Sequence, residues 1–293
     1  MIKNLPLVSI IVTTKNRLSL LKETIESIRN QTYSNTELII VDDGSTDGTK
    51  EFYQYSNELI YIYIEPKNSK GGNYARNLGI KKSKGEFIAF CDDDDIWHST
   101  KIEKQLQVIS SNPNIGLVYC GLIYHLISKD KDLFIYKYPD KHIQGDISKK
   151  VLYTIPCVTS SILTKRSILE QVGLFDENLR FWQEYELTIR IAQISEIRFI
   201  NECLITYLSD HRDTNRLTNK YTPWLESVNY IKNKHRVLYQ KQSLVEKWMS
   251  KLLFYRDAAN RIKSQNKKNI RISFLVFFYF LLCIPYKIFL RLK

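Results

Sequence analysis

Between residue 7 and about residue 125 the chain alternates short apolar runs rich in β-branched residues with stretches whose apolar positions recur at helical spacing. Strands are predicted at residues 7–12, 37–41, 60–64 and 87–91. Ser19 can N-cap a helix carrying Leu21, Ile25 and Ile28 on one face, and further helices are expected at 47–55, 73–82 and 101–110. This βαβαβαβ alternation predicts an α/β domain with a parallel sheet covered by helices. Beyond residue 110 the pattern is less regular. Strands are expected at 117–124, 133–138, 197–200 and 204–208. A short helix should follow 159–163, and another should span 184–193 with Leu187, Ile191 and Ile194 on its apolar side. From residue 224 to 263 the sequence reads as helical, with Lys and Arg interleaved among apolar residues, and 272–284 is a nearly uncharged run of 13 residues.

Open parallel sheets bind ligands in the crevice beyond the carboxyl ends of their strands. Three polar clusters directly follow predicted strands: Thr13-Thr14-Lys15-Asn16-Arg17, Asp42-Asp43-Gly44-Ser45 and Asp92-Asp93-Asp94-Asp95. Four consecutive carboxylates repel one another unless a cation or solvent relieves them, and hard oxygen ligands suit Mg²⁺ or Mn²⁺. The other reading of that run is a solvated acidic loop. Asp42–Asp43 with Gly44 and Ser45 can likewise be a plain turn, but beside Thr13–Arg17 it builds a polar rim suited to a base and ribose. The glycines of Gly71-Gly72-Asn73-Tyr74 match neither a P-loop nor a dinucleotide fingerprint, so neither ATP hydrolysis nor a dinucleotide cofactor is supported.

With 44% apolar and 25% charged residues in 293, the chain is globular rather than disordered or disulfide-stapled. Charge changes the picture more. Residues 1–220 carry 28 basic and 28 acidic residues, whereas 221–293 carry 15 basic and 3 acidic. Five scattered cysteines without a C-x-x-C pair read as buried reduced thiols of a cytoplasmic protein, and no signal-peptide pattern precedes the first strand. The apolar run at 272–284 is shorter than the roughly 20 residues of a spanning helix. Beside basic residues it suits peripheral attachment to an anionic cytoplasmic leaflet, through a segment at about 272–290. A buried C-terminal helix is the other reading. Nucleic acid is not an expected partner, because no RNA- or DNA-binding motif accompanies the charge.

Taken in order, Val8–Arg17, Val41-Asp42-Asp43-Gly44-Ser45, Ala75-Arg76-Asn77-Leu78-Gly79 and Phe90-Cys91-Asp92-Asp93-Asp94-Asp95-Ile96-Trp97 resemble the family 2 glycosyltransferases. The resemblance implies the GT-A fold, a Rossmann-like, mostly parallel sheet flanked by helices. That domain would span 1–218, with a basic helical extension at 219–293. It further implies inverting transfer of a hexose or related sugar from a nucleotide-sugar donor, most simply a UDP-sugar. The acceptor would be a lipid-linked saccharide in cell-surface polysaccharide assembly, such as O-antigen or capsule. Thr13, Lys15, Asn16, Arg17 and Asp43 would border the nucleoside, Arg76 would support the nucleotide end, and Asp92 or Asp93 would lie near the ribose. Asp94 of the D-x-D motif would hold Mn²⁺ or Mg²⁺ with His211, and Arg212 is a further phosphate-side candidate. The family's Glu-Asp pair at a helix start corresponds to Gln183-Glu184 after Gly173-Leu174-Phe175-Asp176-Glu177, leaving Glu184 as the expected general base; Glu186 is read as a solvated helix residue. Trp97, Arg180 and Trp182 are acceptor-side candidates. The replacement at Gln183 also keeps open a non-catalytic nucleotide-sugar-binding scaffold.

Overall fold

The computed structural model describes residues 5–128, 131–210, 220–264 and 269–291. The chain divides into two compact units. The first comprises Met1–Asp146, Pro156–Asn178 and Gln183–Arg212. It is built on a nine-stranded sheet in the order β3-β2-β1-β4-β8-β6-β9-β5, with β7 against β6. The strands are β1 (Val8–Thr14), β2 (Thr36–Asp42), β3 (Ile60–Tyr63), β4 (Phe87–Asp92), β5 (Asp95–Trp97), β6 (Ile115–Ile127), β7 (Asp132–Lys137), β8 (Leu163–Lys165) and β9 (Glu196–Asp210). The helices of this unit are α1 (Leu18–Arg29), α2 (Thr49–Tyr53), α3 (Gly72–Lys82), α4 (Lys101–Ser110), α5 (Arg166–Val172) and α6 (Gln183–Ala192).

Strands β1, β2, β3 and β4 are mutually parallel, and the central β1 and β4 show the near-continuous apolar runs expected of strands buried on both faces. The chain order reverses at β1, with β2 on one side and β4 on the other, which is where an open sheet leaves a crevice. Register brings the strand ends level: Thr13 pairs with Val41 and Asp92, and Thr14 with Asp42. All three polar clusters therefore meet at one edge.

The mostly parallel sheet is as expected, with β8 antiparallel to β4 and β6 and β5 antiparallel to β9. Several other expectations are corrected. The two short strands expected at 197–200 and 204–208 are one strand, β9, which follows β6 through register shifts. Helix α1 starts before Ser19. Its Leu18 N–H is accepted at 2.9 Å by Asp47, a cap supplied from another loop that local sequence does not reveal. Ile194 lies beyond α6 and is exposed, whereas Leu187 and Ile191 are fully buried.

The second unit comprises Ile147–Ile155, Leu179–Trp182 and Asp213–Lys293. Its helices are α7 (Thr222–Lys234), α8 (Arg236–Gln240), α9 (Leu244–Ser264) and α10 (Ile270–Arg291), and a 3-10 turn at Lys150–Tyr153 packs on α9. Trp182 anchors its core between Trp224, edge-on at 5.5 Å, and Phe254, stacked at 5.6 Å. Ser250 donates to the Leu152 carbonyl at 3.1 Å. Helix α10 stacks Tyr279 on Tyr255 and buries Cys283, while Phe274, Phe277, Phe278 and Phe280 are exposed. No helix among the described residues is long and apolar enough to cross a membrane.

Candidate functional site

The four consecutive aspartates do not form a solvated loop. Asp92 ends β4, Asp93 and Asp94 make a tight turn, and Asp95 begins β5. Asp93 and Asp95 are buried. Their repulsion is relieved by specific partners. One guanidinium nitrogen of Arg17 sits 3.0 Å from both an Asp93 and an Asp94 oxygen, and Thr14 donates to Asp93 at 2.7 Å. Burial still raises the Asp93 carboxyl above the usual carboxylate range, against the pull of Arg17 and Thr14. Asp95 is pushed well above it by burial and then by Asp94 and Asp92. Ser160 bridges the turn, donating to Asp95 while its oxygen accepts the Asp92 N–H at 2.9 Å.

Arg76, buried on α3, reaches this edge from the side. It donates to Asp92 at 2.7 Å and to the side-chain oxygen of Gln183 at 2.8 Å, with its guanidinium over the Phe175 ring. The same helix fixes the turn before α6. Asn73 donates to the Asp176 carbonyl at 2.7 Å, and Asn77 bonds both the Phe175 carbonyl and the Phe175 N–H. Thus Arg76, Asn73 and Asn77 tie the start of α6, with Gln183 and Glu184 in its first turn, to the acidic edge.

The paired aspartates after β2 divide their work. Asp42 is fully buried and structural, accepting the Ser45 N–H at 2.7 Å and the Tyr61 hydroxyl at 2.5 Å. One oxygen of Asp43 accepts from Ser69 at 2.8 Å and from the Gly71 N–H at 3.2 Å, with the Lys15 ammonium 3.9 Å away. Its other oxygen, Oδ1, is buried and has no hydrogen-bond partner among the described residues. A buried acceptor left open costs on the order of 1–3 kcal/mol, so it is a place for a ligand donor. The rim around it is stiff. Gly44 turns at φ +83°, where an added Cβ would strike Pro66 at 2.9 Å. Asn16, at φ +54°, donates its N–H to Ser45 at 2.8 Å and accepts the Thr46 N–H at 2.7 Å. Thr13 is half-buried, level with Asp92.

Other expected residues are placed differently. Glu186 is not solvated. It is fully buried in a bidentate pair with Arg190, at 2.7–3.1 Å, which explains its charge structurally. Trp97 is 3% exposed within the hydrophobic core, with the Lys101 ammonium 3.8 Å from its ring centre, so its ring is core rather than groove. Trp182 is likewise buried, in the aromatic core of the second unit, while Arg180 is exposed there. His211 and Arg212 lie outside the described residues. Sequence reasoning passed over Ser69, Ser160, Asn73 and Asn77. Only the Asn73–Asn77 spacing, one turn apart on the face of α3 that carries Arg76, offered a signal.

Comparison with known proteins accords with this geometry. The sequence model of Glycosyl transferase family 2 matches residues 9–173. An uncharacterized glycosyltransferase of Rickettsia typhi is 33% identical over 221 residues, 73% of this chain and 68% of the relative. TuaG of Bacillus subtilis, described as a teichuronic acid biosynthesis glycosyltransferase, is 31% identical over 69% of this chain and 79% of its own length. Among solved structures, Staphylococcus aureus TarS 1–349 in complex with UDP-GlcNAc superposes with a TM-score of 0.63 at 17% identity, covering 93% of this chain and 79% of that one. A mannosyltransferase of Pyrobaculum calidifontis, with GDP-Man and Mn²⁺, gives 0.57 at 17% identity, covering 98% and 84%. The fold is the GT-A fold, and the chain belongs to glycosyl transferase family 2.

Proposed function

We propose that this family 2 member moves a sugar from a nucleoside diphosphate sugar, most simply a UDP-sugar, onto an acceptor hydroxyl with inversion at the anomeric carbon. The observation that carries this reading is the convergence of the three polar clusters on one sheet edge, with Asp43 Oδ1 open and buried. That oxygen suits a base N–H, and Lys15 and Asn16 border the same rim. Asp92 and Asp93 would face the ribose, with Arg76 and Arg17 supplying positive charge toward the diphosphate.

The carboxylates of this edge also suit a divalent cation. Asp94 is a hard oxygen donor beside the rim, and no group of three or more His, Cys, Asp or Glu gathers among the described residues. Asp94, with His211, would hold Mn²⁺ or Mg²⁺. The ion would supply charge that stabilises the departing nucleoside diphosphate. Glu184, in the first turn of α6, would take the acceptor proton as the hydroxyl attacks. The burial of Glu186 and its pair with Arg190 support Glu184 for that task.

The acceptor would be a lipid-linked saccharide in surface-polysaccharide assembly. Helix α10, with its exposed phenylalanines, would rest on the cytoplasmic face of the membrane. The TuaG relationship favours the polysaccharide setting. The test is turnover. Purified protein incubated with UDP-hexoses, Mn²⁺ and a lipid-diphosphate saccharide should release UDP and extend the acceptor. Glu184→Gln should bind UDP normally without transfer. Nucleotide binding with no transfer to any acceptor by the wild type would favour a binding scaffold instead.

A further inference from the structure

The helical unit contains two adjoining cavities of about 290 and 250 Å³ that share Lys232, Lys251 and Phe254. Tyr239, Lys247 and Trp248 line the first, and Trp224, Val228 and Ile272 the second. Lys247 and Lys251 are one turn apart on α9 and so present their ammonium groups on one face. Lys232 approaches from α7, its ammonium 3.8 Å from the Phe254 ring centre, and that of Lys251 is 5.3 Å from Tyr279.

None of these three lysines has a carboxylate partner among the described residues. The acids of the C-terminal helices are engaged or directed elsewhere: Asp257 pairs with Arg261 at 2.9 Å, Glu246 caps Ser243 at 2.8 Å, and Glu226 is exposed on α7. Burial and the charge of Lys251 together hold the Lys232 ammonium below its ordinary range. Like charges gathered over aromatic and aliphatic walls leave an electrostatic deficit that one anion can fill. A free phosphate would answer the lysines and leave the apolar walls wet. An anion with an apolar body answers both. Helix α10 supplies the route, since Ile272 lines one cavity while Phe274, Phe277 and Phe278 are exposed on the same helix.

We infer that these cavities are a headgroup site for a lipid phosphate, with the phosphate among Lys232, Lys247 and Lys251 and the first part of the chain against Trp224, Val228 and Ile272. The inference rests on the reading of α10 as lying on a lipid surface, and it adds selection of one anionic lipid over another.

The experiment uses the full chain with phosphatidylcholine vesicles containing equal amounts of either phosphatidic acid or phosphatidylserine. Binding is followed by flotation and by quenching of tryptophan fluorescence with brominated chains. The wild type should prefer phosphatidic acid. K247Q/K251Q, both exposed positions, should lose that preference and weaken by at least about tenfold more than K241Q/K263Q, which removes the same charge elsewhere. Glycerol phosphate at millimolar concentration should not displace the protein. Equal weakening in the two double variants, or no preference in the wild type, would reduce the site to diffuse surface charge and overturn the inference. Displacement by glycerol phosphate would overturn the lipid assignment, and absence of binding to every anionic vesicle would overturn the α10 reading and this one together. UDP binding measured on the same samples reports the donor site separately.

Discussion

The two units treat charge in opposite ways. In the sheet unit, acidic and basic groups are interleaved until nearly every polar atom is answered: Arg17 spans two aspartates, Arg76 links Asp92 to Gln183, and Ser160 holds both Asp92 and Asp95. In the helical unit, basic residues outnumber acidic ones and three lysines collect with no carboxylate partner among the described residues. The difference teaches where to look for a ligand. In a paired network the informative atoms are the few left open, and among the described residues Asp43 Oδ1 is one that borders the rim formed by Lys15 and Asn16. In an unbalanced one it is the imbalance itself.

The largest expected effect tests whether the paired network surrounds a working acid–base group. Glu184→Gln should lower kcat by about a thousandfold while leaving nucleotide affinity unchanged. A variant that still turns over would move the base elsewhere and leave α6 as scaffold.

Arg190→Ala comes next, because it removes the bidentate cationic partner of the fully buried Glu186 carboxylate. Chemical denaturation should show a loss of about 3–5 kcal/mol. An unchanged midpoint would mean that Glu186 finds water, and the distinction drawn between Glu184 and Glu186 would fall.

Lys101 sharpens the comparison, since it is a fully buried cation of the sheet unit with no carboxylate partner among the described residues. It donates to Gln105 at 2.8 Å and is lowered by burial from the ordinary lysine value to about 8. Between about pH 8 and 10.5 the unfolded chain holds this proton and the folded one has released it, so its contribution makes stability rise with pH. Relative to Lys101→Met, the wild type should gain about 3 kcal/mol across that window. Parallel stability–pH curves for the two proteins would contradict the assignment.

The smallest effect belongs to the helical unit. Replacing Phe274 and Phe277 of α10 by serine should weaken vesicle binding by about 1–3 kcal/mol for each ring and leave nucleotide binding intact. Full retention on vesicles would place those rings against something other than lipid.

Much of the sheet unit was legible because its signals are local. Strand runs, helical spacing and the clusters at strand ends each lie within a few consecutive residues, and the rule for parallel sheets places the clusters together. The parts missed depend on distance in sequence. Ser160 reaches Asp92 from 68 residues away, and Asn77 reaches Phe175 from 98. Burial also escaped: Glu186 and Trp97 looked exposed because a charge on a helix and an aromatic beside a polar loop often are, and only packing decides. In the helical unit, helix and charge were readable, but which lysines converge was not, because α7 and α9 bring Lys232 and Lys251 together only in three dimensions.

The central claim is that Asp43 opens onto a nucleotide. It is tested most directly by titrating UDP, GDP, CDP and dTDP calorimetrically into the full chain with Mn²⁺, beside Asp43→Ala. The account predicts that one nucleoside diphosphate, most simply UDP, binds preferentially and weakens by about tenfold or more in the variant. Binding unchanged by Asp43→Ala, or no binding by a folded sample, would contradict it.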